Sequence, residues 1–138
     1  MFRSILVPTD FTPKNRSALD IAINLANIFG SKVHFLHVIE TIEDASLEEF
    51  KDFYEKLYNK ADKELDKLIK KYGDDIIVEK AIVYGKRAVE IVKYAQLHMI
   101  DLIVMASHKP DLNNKDPQFG TVSYKVGLMS TCPILLVK

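Results

Sequence analysis

The sequence predicts an α/β fold, a doubly wound five-stranded parallel sheet with helices on both faces. Three observations carry this expectation. Ile5-Leu6-Val7, Leu102 to Ala106 and Pro133 to Val137 are short, near-continuous apolar runs, the pattern of strands buried on both sides. The segments between such runs repeat apolar residues at helical spacing. Strands and helices alternate as βαβαβαβαβ with no linker or repeat, which calls for parallel strands joined by right-handed crossovers. Residues 1–138 are expected to form one domain, long enough to bury roughly 70% of the unfolded chain's surface.

The elements follow in order. Ile5-Leu6-Val7 is the first strand, and Pro8, which has no N–H for a ladder, ends it. Thr12-Pro13 reads as an N-cap followed by proline at the first helical position. Ala18, Leu19, Ala22, Ile23, Ala26 and Phe29 recur at helical spacing, and Gly30 stands where a left-handed C-terminal glycine belongs. Lys32 to Val38 is the second strand. Ser46-Leu47-Glu48-Glu49 has the form of a capping box for a long helix. Its stripe runs through Leu47, Phe50, Tyr54, Leu57, Ala61, Leu65, Leu68 and Tyr72, and Gly73 ends it. Ile76 to Tyr84 is the third strand, with Gly85 at the turn. Ala88, Ile91, Val92 and Ala95 give the third helix its apolar face, and Leu102 to Ala106 is the fourth strand. A fourth helix runs from Gly120 to about Thr131 with Val122, Val126 and Met129 inward. Pro133 to Val137 is the fifth strand. The long irregular segment from Ser107 to Phe119 has a length typical of functional or disordered loops.

Lys+Arg and Asp+Glu are equal at 19 each, so no net charge favours nucleic acid or an anionic membrane. The single cysteine, Cys132, excludes an intrachain disulfide and fits a reducing compartment. The apolar run at residues 1–9 is too short for a signal peptide. No stretch approaches the roughly 18 apolar residues of a membrane span. A cytoplasmic protein without nucleic-acid or membrane partners is the expectation.

In open parallel sheets, ligands bind beyond the carboxyl ends of the strands, where strand order reverses. Pro8-Thr9-Asp10 leave the first strand, and Ala106-Ser107-His108 leave the fourth. If these strands are neighbours, Asp10 and the segment from Ser107 to Thr121 share a crevice. Asp10 is then an acceptor for ribose hydroxyls, a residue that helps hold a metal, or an Asx-turn residue ahead of the helix. Gly120-Thr121-Val122-Ser123 joins a close-approach glycine to a capping hydroxyl and a second hydroxyl at a helix start, a seat suited to phosphate. His108 and Lys109 stand in the same loop. His34 and His37 point to opposite faces of their strand and form no two-histidine metal site. Zinc spacings, H-E-x-x-H, Walker A and nucleophile-elbow patterns are missing, so no metal ligand and no catalytic residue is assigned. The third strand ends Val83-Tyr84-Gly85, without the carboxylate that response-regulator chemistry needs.

Four segments in this order resemble the universal stress protein family over nearly the whole chain. They are Ile5-Leu-Val-Pro-Thr-Asp10, Leu36-His-Val38, Asp101-Leu-Ile-Val-Met105, and Gly120-Thr-Val-Ser123 followed by Cys132-Pro-Ile-Leu-Leu-Val137. The resemblance implies strand order 3-2-1-4-5, with the switch point between strands one and four. It also implies a homodimer through the last strand, Ile134 to Val137. That suits an apolar edge which left open would invite aggregation.

The family's ATP-binding branch carries Gly, two residues, Gly, nine residues, then Gly and Ser or Thr. This chain has Ala106 and Lys109 at the first two glycine positions, ten residues rather than nine, and then Gly120-Thr121. Carried over, Pro8, Thr9 and Asp10 lie along adenosine and the Val38 backbone meets the adenine edge. Met105, Ala106 and Gly120 to Ser123 surround ribose and phosphates, with Ser107, His108 and Lys109 alongside. The resemblance therefore implies a dimeric ATP-binding stress-response module, with or without Mg²⁺ and with little or no turnover. The alternative is a stress protein that binds no nucleotide and acts as an interaction module, its phosphate loop altered at Ala106 and Lys109.

Overall fold

The computed structural model describes residues 1–43, 46–107 and 121–138. Among the described residues the elements are, in chain order, β1 (Ser4–Pro8), α1 (Asn15–Phe29), β2 (Lys32–Glu40), α2 (Lys51–Tyr72), β3 (Val78–Gly85), α3 (Arg87–Leu97), β4 (Leu102–Ala106), α4 (Val122–Met129) and β5 (Ile134–Val137). The strands form one sheet in the order β3-β2-β1-β4-β5, and every pairing is parallel. This is the doubly wound arrangement that the alternating apolar runs predict.

Alternation along each strand divides the core in two. Ile5, Val7, Val33, Phe35, Leu102 and Val104 turn to the face covered by α1 and α2, where they meet Ala18, Leu19, Ala22, Ala26 and Leu65. Leu6, Leu36, Val38, Ile103 and Met105 turn to the other face and meet Ala88, Ile91, Tyr94, Ala95 and Val126. Each fully buried Leu, Ile, Val or Phe stabilises the fold by about 1.5–3 kcal/mol. The small alanines of α1 bring its backbone close against β1 and β4, since they add no side-chain bulk at the contact.

Helix boundaries differ from the expectation where side chains compete for the same donors. Thr12 does not cap α1. Its N–H and hydroxyl both go back to Asp10 Oδ1, at 3.0 and 2.6 Å, and residues 12–14 make a tight turn instead. Asn15 N–H bonds the Thr12 carbonyl at 3.1 Å, and the α-helix proper begins there. Ser46 Oγ does accept from Glu49 N–H at 3.2 Å, half of the expected capping box. That bond closes a turn over residues 47–50, and α2 starts at Lys51. Gly30 holds the expected left-handed conformation at φ 67°, and its N–H returns to the Ala26 carbonyl. Met129, expected inward, is 41% exposed; it is the last residue of α4, whereas Val126 one turn earlier is buried.

Candidate functional site

β1 and β4 pair over only two residues each, Ile5 with Leu102 and Leu6 with Ile103. Beyond them the chains leave in opposite directions, β1 toward α1 on one face and β4 toward α4 on the other. Strands that part this way leave an opening at their carboxyl ends. A cavity of about 240 Å³ occupies it.

One wall of the cavity is the end of β1 with the first turn of α1: Pro8, Thr9, Asp10 and Asn15. Thr9 is buried and tied down on three sides. Its N–H donates to the Leu36 carbonyl at 2.8 Å, its hydroxyl to the same oxygen at 3.3 Å, and its own carbonyl accepts from His37 Nδ1 at 2.7 Å. A carbonyl only accepts, so His37 carries its proton on Nδ1. Burial pushes the His37 pKa below its ordinary value, outweighing the bond to Thr9 that raises it, and nearby Arg87 pushes the same way as burial. The His37 ring also packs, tilted by 30°, against Phe11 with centroids 4.6 Å apart, where the Phe11 backbone has φ 63°. This fixed turn aims Asp10. Both of its bonds to Thr12 fall on Oδ1, so among the described residues Oδ2 takes no hydrogen bond. The Asx turn and an outward-facing acceptor therefore coexist in one side chain.

The floor is apolar, from Leu36, Val38, Ile91 and Met105. Opposite Asp10 stands the start of α4. Thr121 caps it, with Oγ1 accepting from Tyr124 N–H at 3.3 Å and lying 3.2 Å from Ser123 Oγ. The first N–H groups of a helix have no partner within it, so hydroxyls and backbone donors face the cavity together. Arg87 closes a third side, its Nε 3.8 Å from Glu40 Oε1. Arg87 and Val122 also border a second, larger cavity of about 600 Å³.

Of the residues singled out from sequence, Pro8, Thr9, Asp10, Val38, Met105, Ala106, Thr121, Val122 and Ser123 all line this one cavity. Ser107 does not; its N–H bonds the Val137 carbonyl at 2.8 Å and extends the β4–β5 ladder. His108, Lys109 and Gly120 lie outside the described residues. Sequence reasoning missed Asn15 and Arg87. Asn15 was legible as a polar residue one turn before Ala18, Leu19 and Ala22, on their buried face. Arg87 was legible from topology, because every strand-to-helix turn of a parallel sheet emerges at the same edge.

Residues 1–138 match the family model described as the universal stress protein family. The chain belongs to that family. It is 30% identical to universal stress protein YxiE of Bacillus subtilis over the full length of both chains. It is 31% identical to universal stress protein MJ0577 of Methanocaldococcus jannaschii, over 100% of this chain and 96% of the other. The solved structure of MJ0577 superposes with a TM-score of 0.85 at 34% identity, covering 100% of this chain and 96% of that one. More distant family structures share the fold with TM-scores of 0.74 and 0.66 at 20% identity. One covers 99% of this chain and 97% of its own, in complex with cAMP; the other, from Archaeoglobus fulgidus, covers 99% and 98%, in complex with dAMP. Among the described residues no helix is long and apolar enough to cross a membrane.

Proposed function

We propose that this universal stress protein is a single-domain, adenine-nucleotide-binding module, with ATP as its ligand and little or no catalytic turnover. The observation that carries the reading is the division of labour around one cavity. An apolar floor suits a purine base, the Asp10 side offers an acceptor to a sugar, and Thr121, Ser123 and the α4 N-terminus offer donors to phosphate. In this reading Pro8, Thr9 and Asp10 lie along adenosine and the Val38 backbone meets the base edge. Met105 and Ala106 flank the ribose, and Thr121, Val122 and Ser123 receive phosphate, to which the family resemblance adds His108, Lys109 and Gly120. Among the described residues no group of three or more His, Cys, Asp or Glu side chains is arranged to hold a metal, so Mg²⁺ would arrive on the triphosphate. Among the described residues lining the cavity Asp10 is the carboxylate; its Oδ1 holds Thr12, and its Oδ2 is read as an acceptor for the sugar rather than as a base for water. The complexes of fold relatives with cAMP and dAMP agree with a nucleotide ligand. The protein is read as a cytoplasmic homodimer joined through β5, without nucleic-acid or membrane partners.

The test is calorimetric titration with ATP, with and without Mg²⁺, beside a thermal-shift measurement. Saturable heat and a raised melting temperature are expected. Silence in both at millimolar ATP would sink nucleotide binding and leave the interaction-module reading.

A further inference from the structure

Asn15, the first residue of α1, is 2% exposed and yet lines the cavity. Its Nδ2 donates to the Pro8 carbonyl at 3.1 Å. Because that carbonyl only accepts, the bond fixes the orientation of the amide. Oδ1 then points elsewhere, and among the described residues it is the one buried side-chain N or O atom without a hydrogen-bond partner. A buried, unpaired acceptor is costly. The fold uses the Nδ2 donor on the Pro8 carbonyl but not the Oδ1 acceptor, which lies on the buried face that Ala18, Leu19, Ala22 and Ala26 continue. A polar acceptor left unpaired among the described residues at a cavity wall suits a donor brought in by a ligand.

The chemistry of the cavity says which donor. Asp10 Oδ2 and Asn15 Oδ1 are both acceptors on the β1–α1 wall, while Thr121, Ser123 and the α4 N–H groups are donors on the opposite wall. A second acceptor beside a carboxylate repels phosphate and attracts hydroxyls. A molecule that satisfies both walls carries hydroxyls at one end and phosphate at the other, as a ribose 5′-phosphate does.

We propose that Asn15 is a specificity-determining residue whose Oδ1 accepts a hydrogen bond from a ribose hydroxyl of the bound nucleotide. The inference rests on the nucleotide-binding reading above. Asn15 thus acts with Asp10 as a two-acceptor reader of the sugar, and the protein favours ribonucleotides over analogues lacking the hydroxyl it contacts.

The experiment compares ATP, 2′-deoxy-ATP and 3′-deoxy-ATP by calorimetry on the wild-type chain and on Asn15→Ala, with melting temperatures to verify folding. For the wild type, one deoxy analogue should bind about tenfold more weakly than ATP, the loss expected for one buried hydrogen bond. In Asn15→Ala, ATP itself should weaken by about the same factor, and that analogue should lose no more. Equal binding of all three nucleotides by the wild type overturns the inference while leaving nucleotide binding intact. Discrimination that survives unchanged in Asn15→Ala overturns it as well. So does a variant that changes the preference for ATP over ITP instead, since the acceptor would then read the base. No binding of any nucleotide by the wild type removes the nucleotide reading and this inference with it. The wild-type series decides the matter even if Asn15→Ala does not fold.

Discussion

Ser4 and Asp101 hold each other by two hydrogen bonds. The Ser4 N–H donates to Asp101 Oδ1 at 3.0 Å, and the Asp101 N–H donates to the Ser4 carbonyl at 3.1 Å. Arg3 N–H adds a third bond to Asp101 Oδ2 at 2.8 Å. This clamp sits at the amino ends of β1 and β4, just before the two residue pairs that join them. It secures the strands at one end, so that they separate only at the other, where the cavity opens. Asp101→Ala should therefore lower the stability by about 1–2 kcal/mol, the worth of charge-assisted bonds at a partly exposed site. Urea denaturation checks this. Asp101→Asn, which keeps one acceptor, should lose about half as much, and an unchanged midpoint in both would refute the clamp.

A second prediction separates the two roles of Asp10. Its Oδ1 holds Thr12, and its Oδ2 faces away from that turn. Asp10→Asn keeps an oxygen for the Asx turn and removes the charge. Its unfolding free energy should stay within about 0.5 kcal/mol of wild type, as for a surface change that leaves contacts intact. Asp10→Ala, which also releases Thr12 and the turn at Phe11, should lose about 1 kcal/mol. ATP affinity should fall in both variants. Asp10→Ala that is as stable as wild type would show that the turn does not depend on this side chain.

The third concerns pH. His34 on β2 is buried against α3, its Nδ1 2.8 Å from the Tyr94 hydroxyl. Glu79 on β3, Lys32 on β2 and His98 at the end of α3 face it as well. Burial lowers the His34 pKa from its ordinary 6.5; Glu79 opposes this, while Lys32 and His98 reinforce it. A depressed histidine pKa means that the unfolded chain binds more protons than the folded one in the interval between the two values. Stability is then full above pH 6.5 and is lost as pH falls through the folded value. His37, also lowered by burial, adds to the same slope. Urea midpoints of the wild type should fall between pH 7.5 and about 5.5. His34→Gln, which keeps an acceptor for the Tyr94 hydroxyl but does not titrate, should flatten that slope by about half. An unchanged slope would mean that His34 protonates freely in the fold.

How much of this was legible in the sequence depends on what each residue answers to. Ile5 to Val7 and Leu102 to Ala106 had to be strands, because runs so short and apolar can bury both faces only inside a sheet. Their adjacency followed from family resemblance rather than periodicity, since a strand's own pattern does not name its neighbour. Asp10 was legible as an Asx-turn residue or a ligand acceptor, and its two oxygens let it be both. The α1 boundary was not legible: Thr12 looked like a cap, and only the folded turn shows Asp10 claiming its hydroxyl. Met129 fits the helical stripe, but it is the last residue of α4 and stays 41% exposed while Val126, one turn earlier, is buried. Asn15 escaped because its significance lies in one unpaired atom, which depends on the direction that the Pro8 carbonyl imposes on the amide.

The last prediction concerns the open edge of the sheet. β5 pairs with β4 on one side and with no described strand on the other. Ile103 N–H bonds the Pro133 carbonyl at 3.0 Å, and Ser107 N–H bonds that of Val137 at 2.8 Å. In a parallel ladder alternate residues point their backbone groups to alternate sides, so Pro133, Leu135 and Val137 face β4 while Ile134 and Leu136 face outward. Leu135 and Leu136 remain 38% and 39% exposed, and such an edge favours a second strand. If two copies join through β5, the Leu136 N–H lies in the joint. Leu136→Pro removes that N–H without touching the β4 ladder, and proline is tolerated at an outer edge. Sedimentation equilibrium should find the wild type dimeric and Leu136→Pro monomeric, with circular dichroism unchanged. A monomeric wild type would exclude the homodimer. A dimeric Leu136→Pro would move the interface away from β5.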